Sequence, residues 1–278
     1  MTSSPLSSST NIRTAQQIVG SVESLWRYPV KSMRGEKLQE AFAGFAGVYG
    51  DRLYAFRSAA SPPGFPYLTA REQEEMLLYR PAYRYPERMA RPSNLAEAEA
   101  LGSGLTPVYA DSADRVLDVQ TPAGETLEID DPRLIGLLRT RISPLHELTL
   151  LRSDRAMTDC RPISLISLQT IQQLGQESGF ELDQRRFRAN VFIKLSSGTA
   201  FGENEFVGQR LGIGAKAIIM VLQRDTRCKM ITLDPDTGKA NPDIMRRLAR
   251  DHESKAGVYG AVLVEGIVRP GDQIALLN

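Results

Sequence analysis

The chain is predicted to be mainly β with some α, folded as barrel-like sheets in two consecutive sections. Three observations lead there. Short runs of strand character recur at close spacing from Ile18 to the C-terminus. Turn signals of glycine, proline and aspartate separate them. The few helical stretches do not alternate with strands as βαβ units would.

The elements follow in order. Residues 1–17 are rich in serine and threonine, with no apolar core, and are expected to be a disordered tail and not a secretory signal. The first section, 18–148, reads as strands Ile18–Tyr28, Lys37–Ala41, Leu53–Arg57 and Glu75–Arg80, with Gly44, Gly47 and Gly50 punctuating the second connection. Ser61-Pro62-Pro63-Gly64-Phe65-Pro66 is a loop, because neither a helix nor a central strand tolerates that many prolines. Strands are expected at Leu105–Ala110, Arg115–Gln120 and Glu125–Ile129, the last two joined as a hairpin by Thr121-Pro122-Ala123-Gly124. Asp130-Asp131-Pro132 then starts a helix over Arg133–Thr140, with proline in its first turn. The second section, 149–278, opens with a helix over Ser167–Ser178, whose Leu168, Ile171 and Leu174 share a face. Strands Asn190–Leu195, Arg210–Ile213, Ala215–Leu222 and Gly260–Val264 follow, with a helix near Pro242–Asp251. In the last segment, Gly266–Leu277, Arg269-Pro270-Gly271-Asp272 reads as a hairpin-type turn.

Composition narrows the function classes. Charged residues make up 24% and hydrophobic ones 42%, ordinary for a soluble globular protein. A net charge of +1 gives no global field that would draw the chain to nucleic acid or anionic lipid, so any bound anion must be held by a local cluster of donors. No apolar run is long enough to span a membrane. The two cysteines cannot form a disulfide framework or hold an iron–sulfur cluster. His146 and His252 lie too far apart in sequence to suggest a histidine-rich zinc site. A cytoplasmic, reducing location is the expectation.

One of the two cysteines draws the chemistry to itself. Cys228 follows the strand-like run Ala217–Leu222 and precedes a Pro/Asp/Gly turn, which places its sulfur near a strand end. Its neighbours Arg227 and Lys229 would favour the thiolate, the form that attacks electrophiles or ligates a soft metal. A half-buried cysteine with solvated basic neighbours has the same local sequence. Lys31 and Ser32, after the strand ending at Pro29, offer a cation, a hydroxyl and free backbone N–H groups to a small anion, or form a solvated turn. Arg52, next to Asp51, would fork onto a phosphate or pair with that aspartate. Arg185, Arg186 and Arg188 would repel one another on a single edge strand, so at least one should face an anion or acidic partner. Gly212-Ile213-Gly214-Ala215-Lys216 imitates a dinucleotide loop, with Asp234 about 20 residues on. It lacks the third glycine, and a strand follows where a helix N-terminus would have to cradle the pyrophosphate.

Taken in order, Tyr28-Pro29-Val30-Lys31-Ser32, Gly50-Asp51-Arg52, Phe187-Arg188-Ala189-Asn190, and Arg227-Cys228 with Asp234-Pro235-Asp236-Thr237-Gly238 resemble the MOSC-domain proteins. The resemblance runs from about residue 20 to 277 and is to members with an N-terminal β-barrel half, typified by the mitochondrial amidoxime-reducing component and its bacterial relatives. It implies a MOSC-type β-barrel with an N-terminal β-barrel-like domain. It also implies that Cys228 ligates molybdenum carried by a pyranopterin cofactor, while Lys31, Ser32, Arg52, Arg188, Asn190 and Thr226 bind that cofactor's phosphate and pterin. An association with pyridoxal phosphate binding comes with the family. Phe187-Arg188-Ala189-Asn190 departs from relatives that often carry proline before the asparagine, and Arg188 is intact. Cys160, in Asp159-Cys160-Arg161-Pro162, is read as structural or incidental.

Such a protein would be a molybdenum-cofactor-dependent oxidoreductase abstracting oxygen from N-hydroxylated or related small molecules and releasing it as water. The site should lie between the two sections, since its basic residues are dispersed along the chain. Electrons would come from a separate ferredoxin, flavodoxin or cytochrome b5-like donor. The rival reading is a non-catalytic carrier of molybdenum cofactor or sulfur, using the same Cys228.

Overall fold

In the computed structural model, residues 17–101, 111 and 113–277 are described. The first half contains β1 (Gln17–Arg27), β2 (Glu36–Leu38), β3 (Ala41–Gly44), β4 (Gly47–Val48), β5 (Tyr54–Ser58) and β6 (Arg80–Tyr83). Then come α1 (Leu95–Leu101), β7 (Leu117–Gln120), β8 (Thr126–Glu128), α2 (Pro132–Arg139) and β9 (Leu148–Arg152). The second half contains β10 (Ile163–Ser167), α3 (Leu168–Ser178), β11 (Val191–Leu195), β12 (Arg210–Ile213) and β13 (Ala217–Thr226). It ends with α4 (Pro242–His252), β14 (Lys255–Val264), β15 (Gly266–Val268) and β16 (Gln273–Leu277).

Seven strands close a barrel in the order β11-β10-β14-β13-β12-β16-β1, with β1 pairing back onto β11 and β2 added on its flank. The side-chain period of two fills it: Ala217, Ile219 and Val221 of β13 point inward while Ile218, Met220 and Leu222 do not. In β1 a register shift between Val22 and Ser24 resets that period, so Val22 and Leu25, three residues apart, both reach the interior. β10 and β11 run parallel, joined through α3. Ile166 and Phe192 on their outer faces pack under α3 and α4 with Ile171, Leu174 and Leu248.

The N-terminal section wraps around one end of this barrel. Two small sheets, β5-β9 and β6-β7-β8, enclose their own core of Phe56, Met76, Leu117, Leu134 and neighbours, while a third, β15-β3-β4, packs Ala41, Ala43, Val48 and Val268 onto the barrel core. The sections interlock: β1 closes the barrel of the second half, and β15 pairs with β3 of the first. Arg27, 2% exposed at the end of β1, fastens them by bonding Glu36 Oε1 at 2.8 Å and the Met89 carbonyl. Gly50 turns beside it at φ +80°, where a Cβ would stand 2.9 Å from Arg27 Nη1.

Several expectations need correction. Glu75–Arg80 is not a strand: Glu74–Leu78 is a 3₁₀ turn burying Met76 and Leu77, and strand begins at Arg80. A short apolar run has no period long enough to distinguish the two. Lys37–Ala41 is two strands, because the chain leaves the barrel sheet after Leu38 and enters another at Ala41. Arg269–Asp272 is a tight turn, but the strands it joins do not pair: β15 binds β3 and β16 binds β1 and β12. The strands after Lys216 and before Val264 are longer than expected. The strand expected at Leu105–Ala110 lies outside the described residues, as does the tail up to residue 16.

Candidate active-site cleft

Strand ends gather at one end of the barrel. β1 finishes at Arg27 and β10 and β11 begin beside it, while Asp225 and Thr226 of β13 and Tyr259 of β14 border the same space. The segments beyond these ends line a cleft enclosing about 730 Å³, mouth included, between barrel and N-terminal section. Lys31, Ser32, Arg52, Arg188, Asn190, Thr226 and Cys228 all line it. The seven residues singled out from the sequence are therefore together, on a site drawn from both sections.

Three of them hold the left-handed backbone that side-chain-bearing residues rarely adopt: Ser32 (φ +66°), Arg52 (φ +47°) and Arg188 (φ +50°). Each sits where a connecting turn must reverse sharply to bring its side chain to the cleft. Asp51, fully buried, ties two of these turns to the barrel by accepting the Tyr28 backbone N–H at 2.7 Å, while Arg52 donates its own backbone N–H to the Tyr28 carbonyl at 2.7 Å.

Arg52 and Arg188 share one ring. Their guanidinium carbons lie 4.7 and 4.3 Å from the Tyr28 ring centroid, so one aromatic ring attracts both like charges. Arg52 pairs with Asp51 and donates to the Arg188 carbonyl at 3.0 Å; Arg188 donates to the Met33 carbonyl at 2.8 Å. Arg188 Nη2 is buried without an acceptor. Burial, with Arg52 nearby and Tyr28 opposing, lowers the Arg188 pKa to about 10, so it stays charged at neutral pH. Burial raises the Tyr28 hydroxyl to about 12.

Lys31 is 3% exposed, donates to the Met157 carbonyl at 2.8 Å, pairs with Asp159, and stands over the rings of Phe65 and Tyr67. Burial lowers its pKa, and Asp159 opposes that shift. Asn190 is the scaffold member of the set. Its Oδ1 accepts from Ser164 N and Oγ, and its Nδ2 donates to the Trp26 carbonyl at 3.3 Å, binding β1, β10 and β11 together. The Ser32 and Thr226 hydroxyls make no hydrogen bond among the described residues.

Cys228 is half-buried just past the end of β13, as its sequence position predicts. The cations expected to favour its thiolate are turned elsewhere. Arg227 donates to the Ala256 and Phe187 carbonyls at 2.7 and 2.8 Å, and Lys229 pairs with Glu74. Apart from Arg227, positive charge in the cleft comes from segments distant from Cys228 in the chain. Seven cations line it (Lys31, Arg52, Arg71, Arg161, Arg186, Arg188 and Arg227) against two carboxylates, Asp159 and Asp225. The three arginines expected to share an edge strand occupy a 3₁₀ turn, Gln184–Phe187, and its cap. Arg185 pairs with Asp183 and Asp236, Arg186 pairs with Asp234, and Arg188 turns into the cleft.

Reading the sequence missed Thr69, Arg71, Asp159, Arg161, Asp225 and Tyr259 of the lining. Asp159 and Arg161 carried a signal, since they flank Cys160 in a loop next to proline. Arg161 is exposed and makes no ion pair. Asp225 carried none: it reads as the polar end of a strand. It is 1% exposed and 2.8 Å from Arg227 Nη2 without hydrogen-bond alignment, and burial raises its carboxyl to about 6. Cys160 is exposed and does not line the cleft; its sulfur accepts from Gln223 Nε2 at 3.4 Å. Such a donor-rich cleft matches an anion with several acceptor oxygens, beside one soft sulfur ligand.

The chain is similar to several known proteins. The mitochondrial amidoxime reducing component 2 of Bos taurus is 25% identical over 244 residues, covering 81% of this chain and 70% of that protein. Mitochondrial amidoxime-reducing component 1 of Mus musculus is 23% identical over 294 residues, covering 96% and 85%. The molybdenum cofactor sulfurase of Drosophila grimshawi is 27% identical over 161 residues, 55% of this chain, and the match spans only 20% of that longer protein. Among solved structures, the YUAD protein from Bacillus subtilis aligns over 94% of this chain and 97% of its own, at 13% identity and a TM-score of 0.47. Residues 19–130 match the family described as the MOSC N-terminal beta barrel domain, and residues 152–275 match the MOSC domain. The chain belongs to the MOSC-domain proteins that carry an N-terminal MOSC β-barrel domain.

Proposed function

We propose that this protein is a molybdenum-cofactor-dependent oxidoreductase that reduces N-hydroxylated or related N–O compounds with electrons from a separate donor protein. The observation that carries the reading is the convergence of Cys228 with Lys31, Ser32, Arg52, Arg188, Asn190 and Thr226 on one cationic cleft, in a chain of net charge +1. Similarity to the amidoxime reducing components supports the reaction class.

The residues present fit the cofactor. Buried Arg188 Nη2 has no acceptor among the described residues, and the free hydroxyls of Ser32 and Thr226 line the same space. Lys31, Arg52 and Arg188 would hold its phosphate and pterin, and Cys228 would ligate the metal as a thiolate. When bound, the cofactor supplies two-electron oxygen-abstraction chemistry. The chain's own residues orient and enclose. Tyr28 draws both guanidiniums to one ring, Asp51 locks the turn that carries Arg52, and Asn190 holds the strand end beneath them. Asp159 neutralises Lys31 and must yield it for a phosphate to be bound there.

Protein from cofactor-competent cells should purify with molybdenum and reduce benzamidoxime with dithionite-reduced viologen, but not with NADH or NADPH alone. Cys228→Ser should abolish that activity while Cys160→Ser leaves most of it. Equal losses in both, or activity surviving Cys228→Ser, would overturn the site. A ferredoxin, flavodoxin or cytochrome b5-like protein should replace the viologen. The similarity to a molybdenum cofactor sulfurase favours a second reading, a carrier of cofactor or sulfur. That reading expects cyanide-labile sulfur on Cys228 and no benzamidoxime reduction.

A further inference from the structure

A second cleft of about 740 Å³, open mouth included, adjoins the first across Arg186, Arg188 and Met230, which line both. Trp26, Arg34, Lys37 and Arg185 complete its polar wall, and Leu77 and Leu233 belong to its apolar one. No carboxylate lines it. Asp234 and Asp236 hold Arg186 and Arg34 through their terminal nitrogens, which leaves the Nε of each without an acceptor. Trp26 Nε1 is likewise buried and unpartnered. Arg186 is 9% exposed, so its spare donor is not lost to bulk water. Buried N–H groups without acceptors are rare and costly, and four belong to residues lining this cleft: these three and Arg188 Nη2, which the first cleft shares.

We infer that this second cleft binds a planar aromatic ligand carrying a phosphate or carboxylate. Oxygen acceptors would meet the arginine and indole donors, and the ring would pack on the half-buried Trp26 and Met230, over a floor of Leu77 and Leu233. A bare inorganic anion would leave the apolar wall wet, and a neutral ring would leave the donors unmet. The site is separate from the one assigned to the cofactor, since Trp26, Arg34 and Lys37 do not line the first cleft.

Trp26 is the only tryptophan in the chain, so its fluorescence reports on this cleft directly. Phenyl phosphate and benzoate should quench or shift it saturably, with inorganic phosphate and benzyl alcohol each at least about tenfold weaker. Lys37→Gln is the cleanest variant, because Lys37 is exposed and makes no ion pair to lose. It and Arg34→Gln should each weaken phenyl phosphate by about tenfold, and Trp26→Phe should weaken it by calorimetry. Arg161→Gln, at a residue that lines only the first cleft, should leave this binding unchanged. Absence of saturable change up to about 10 mM, a weak-affinity ceiling, would overturn the inference. So would equal binding of benzyl alcohol, or loss of binding in Arg161→Gln with none in Lys37→Gln. Molybdenum content and benzamidoxime turnover are not part of the readout, so the two proposals stand or fall separately.

Discussion

Inside the barrel, Leu25, Ile193, Leu211, Ile219 and Ile274 meet with no charged side chain among them. A few residues away, at its end, two guanidiniums share one tyrosine ring, a lysine is almost wholly buried, and three side-chain-bearing residues hold a left-handed backbone. Each left-handed residue costs roughly 1–2 kcal/mol, and each buried charge adds a desolvation cost. The interior, by contrast, gains about 25 cal/mol for each Å² of apolar surface it removes from water. The difference shows how a costly cleft persists: its strained turns are anchored to strand ends whose other ends lie in that apolar interior. Asp51 and Asn190 are the connecting parts: Asp51 joins the Tyr28 backbone to the Arg52 guanidinium, and Asn190 joins the Ser164 and Trp26 backbones beside Arg188.

The comparison breaks most severely at the interior. Ile219→Ala, at a fully buried position, should destabilise the fold by up to about 5 kcal/mol through lost transfer energy and a cavity. Chemical denaturation would read the loss, and any folded remainder should retain its usual cofactor content per molecule. A cleft that empties before the fold melts would mean the two regions are less separable than argued.

Asp225 gives the next largest effect and works in the opposite direction. Its carboxyl titrates near 6 in the folded protein against an ordinary value of about 3.9, so the folded state holds the extra proton between those values. Stability must therefore fall as pH rises from about 4 to 6, and the loss is complete above that. Asp225→Asn removes this dependence. Relative to the wild type, the variant should gain on going from pH 4 to pH 7 by an amount on the order of 3 kcal/mol. The mutant–wild-type difference is read at each pH, which cancels the other titrating groups. A difference independent of pH would show that Asp225 is ionised throughout.

Arg188→Ala addresses the cleft alone. A lost charge-assisted contact is worth roughly 1.5–3 kcal/mol, which is about ten- to a hundredfold weaker cofactor retention. Purified protein should contain less molybdenum while turnover per bound metal holds. Full metal content with lost turnover would put Arg188 in the chemistry itself.

What the sequence could show tracks the same boundary. Helix α3 was legible because its signals are local: Ser167 caps it by accepting the Thr170 N–H, and Gly179 ends it at φ +80°. The hairpin at Thr121–Gly124 and the start of α2 at Asp131 were legible for the same reason. The site residues were reached through ordered motifs, not through geometry. Nothing local in Arg52 or Arg188 announces that they share one tyrosine ring, because that contact joins residues 136 apart in the chain. Asp225 was invisible for a related reason. Its burial depends on Tyr259 and Arg227 closing over a strand end, which no period in the sequence reports.

Ser32 offers the smallest and most discriminating effect. Its backbone sits at φ +66°, it is 5% exposed, and its hydroxyl has no partner among the described residues. Glycine would relieve the left-handed clash, worth roughly 1–2 kcal/mol, at an entropic cost of about 0.5–1 kcal/mol. Ser32→Gly should therefore be as stable as the wild type or more stable by up to about 1 kcal/mol in thermal melts. The same variant loses a hydroxyl from the cleft, so molybdenum retention should fall even as the fold tightens. A variant that loses stability and metal together would mean Ser32 is held for packing. One that gains stability and keeps its metal would remove Ser32 from the cofactor's donors. Only gain in the first with loss in the second shows a strained turn kept for the sake of its side chain.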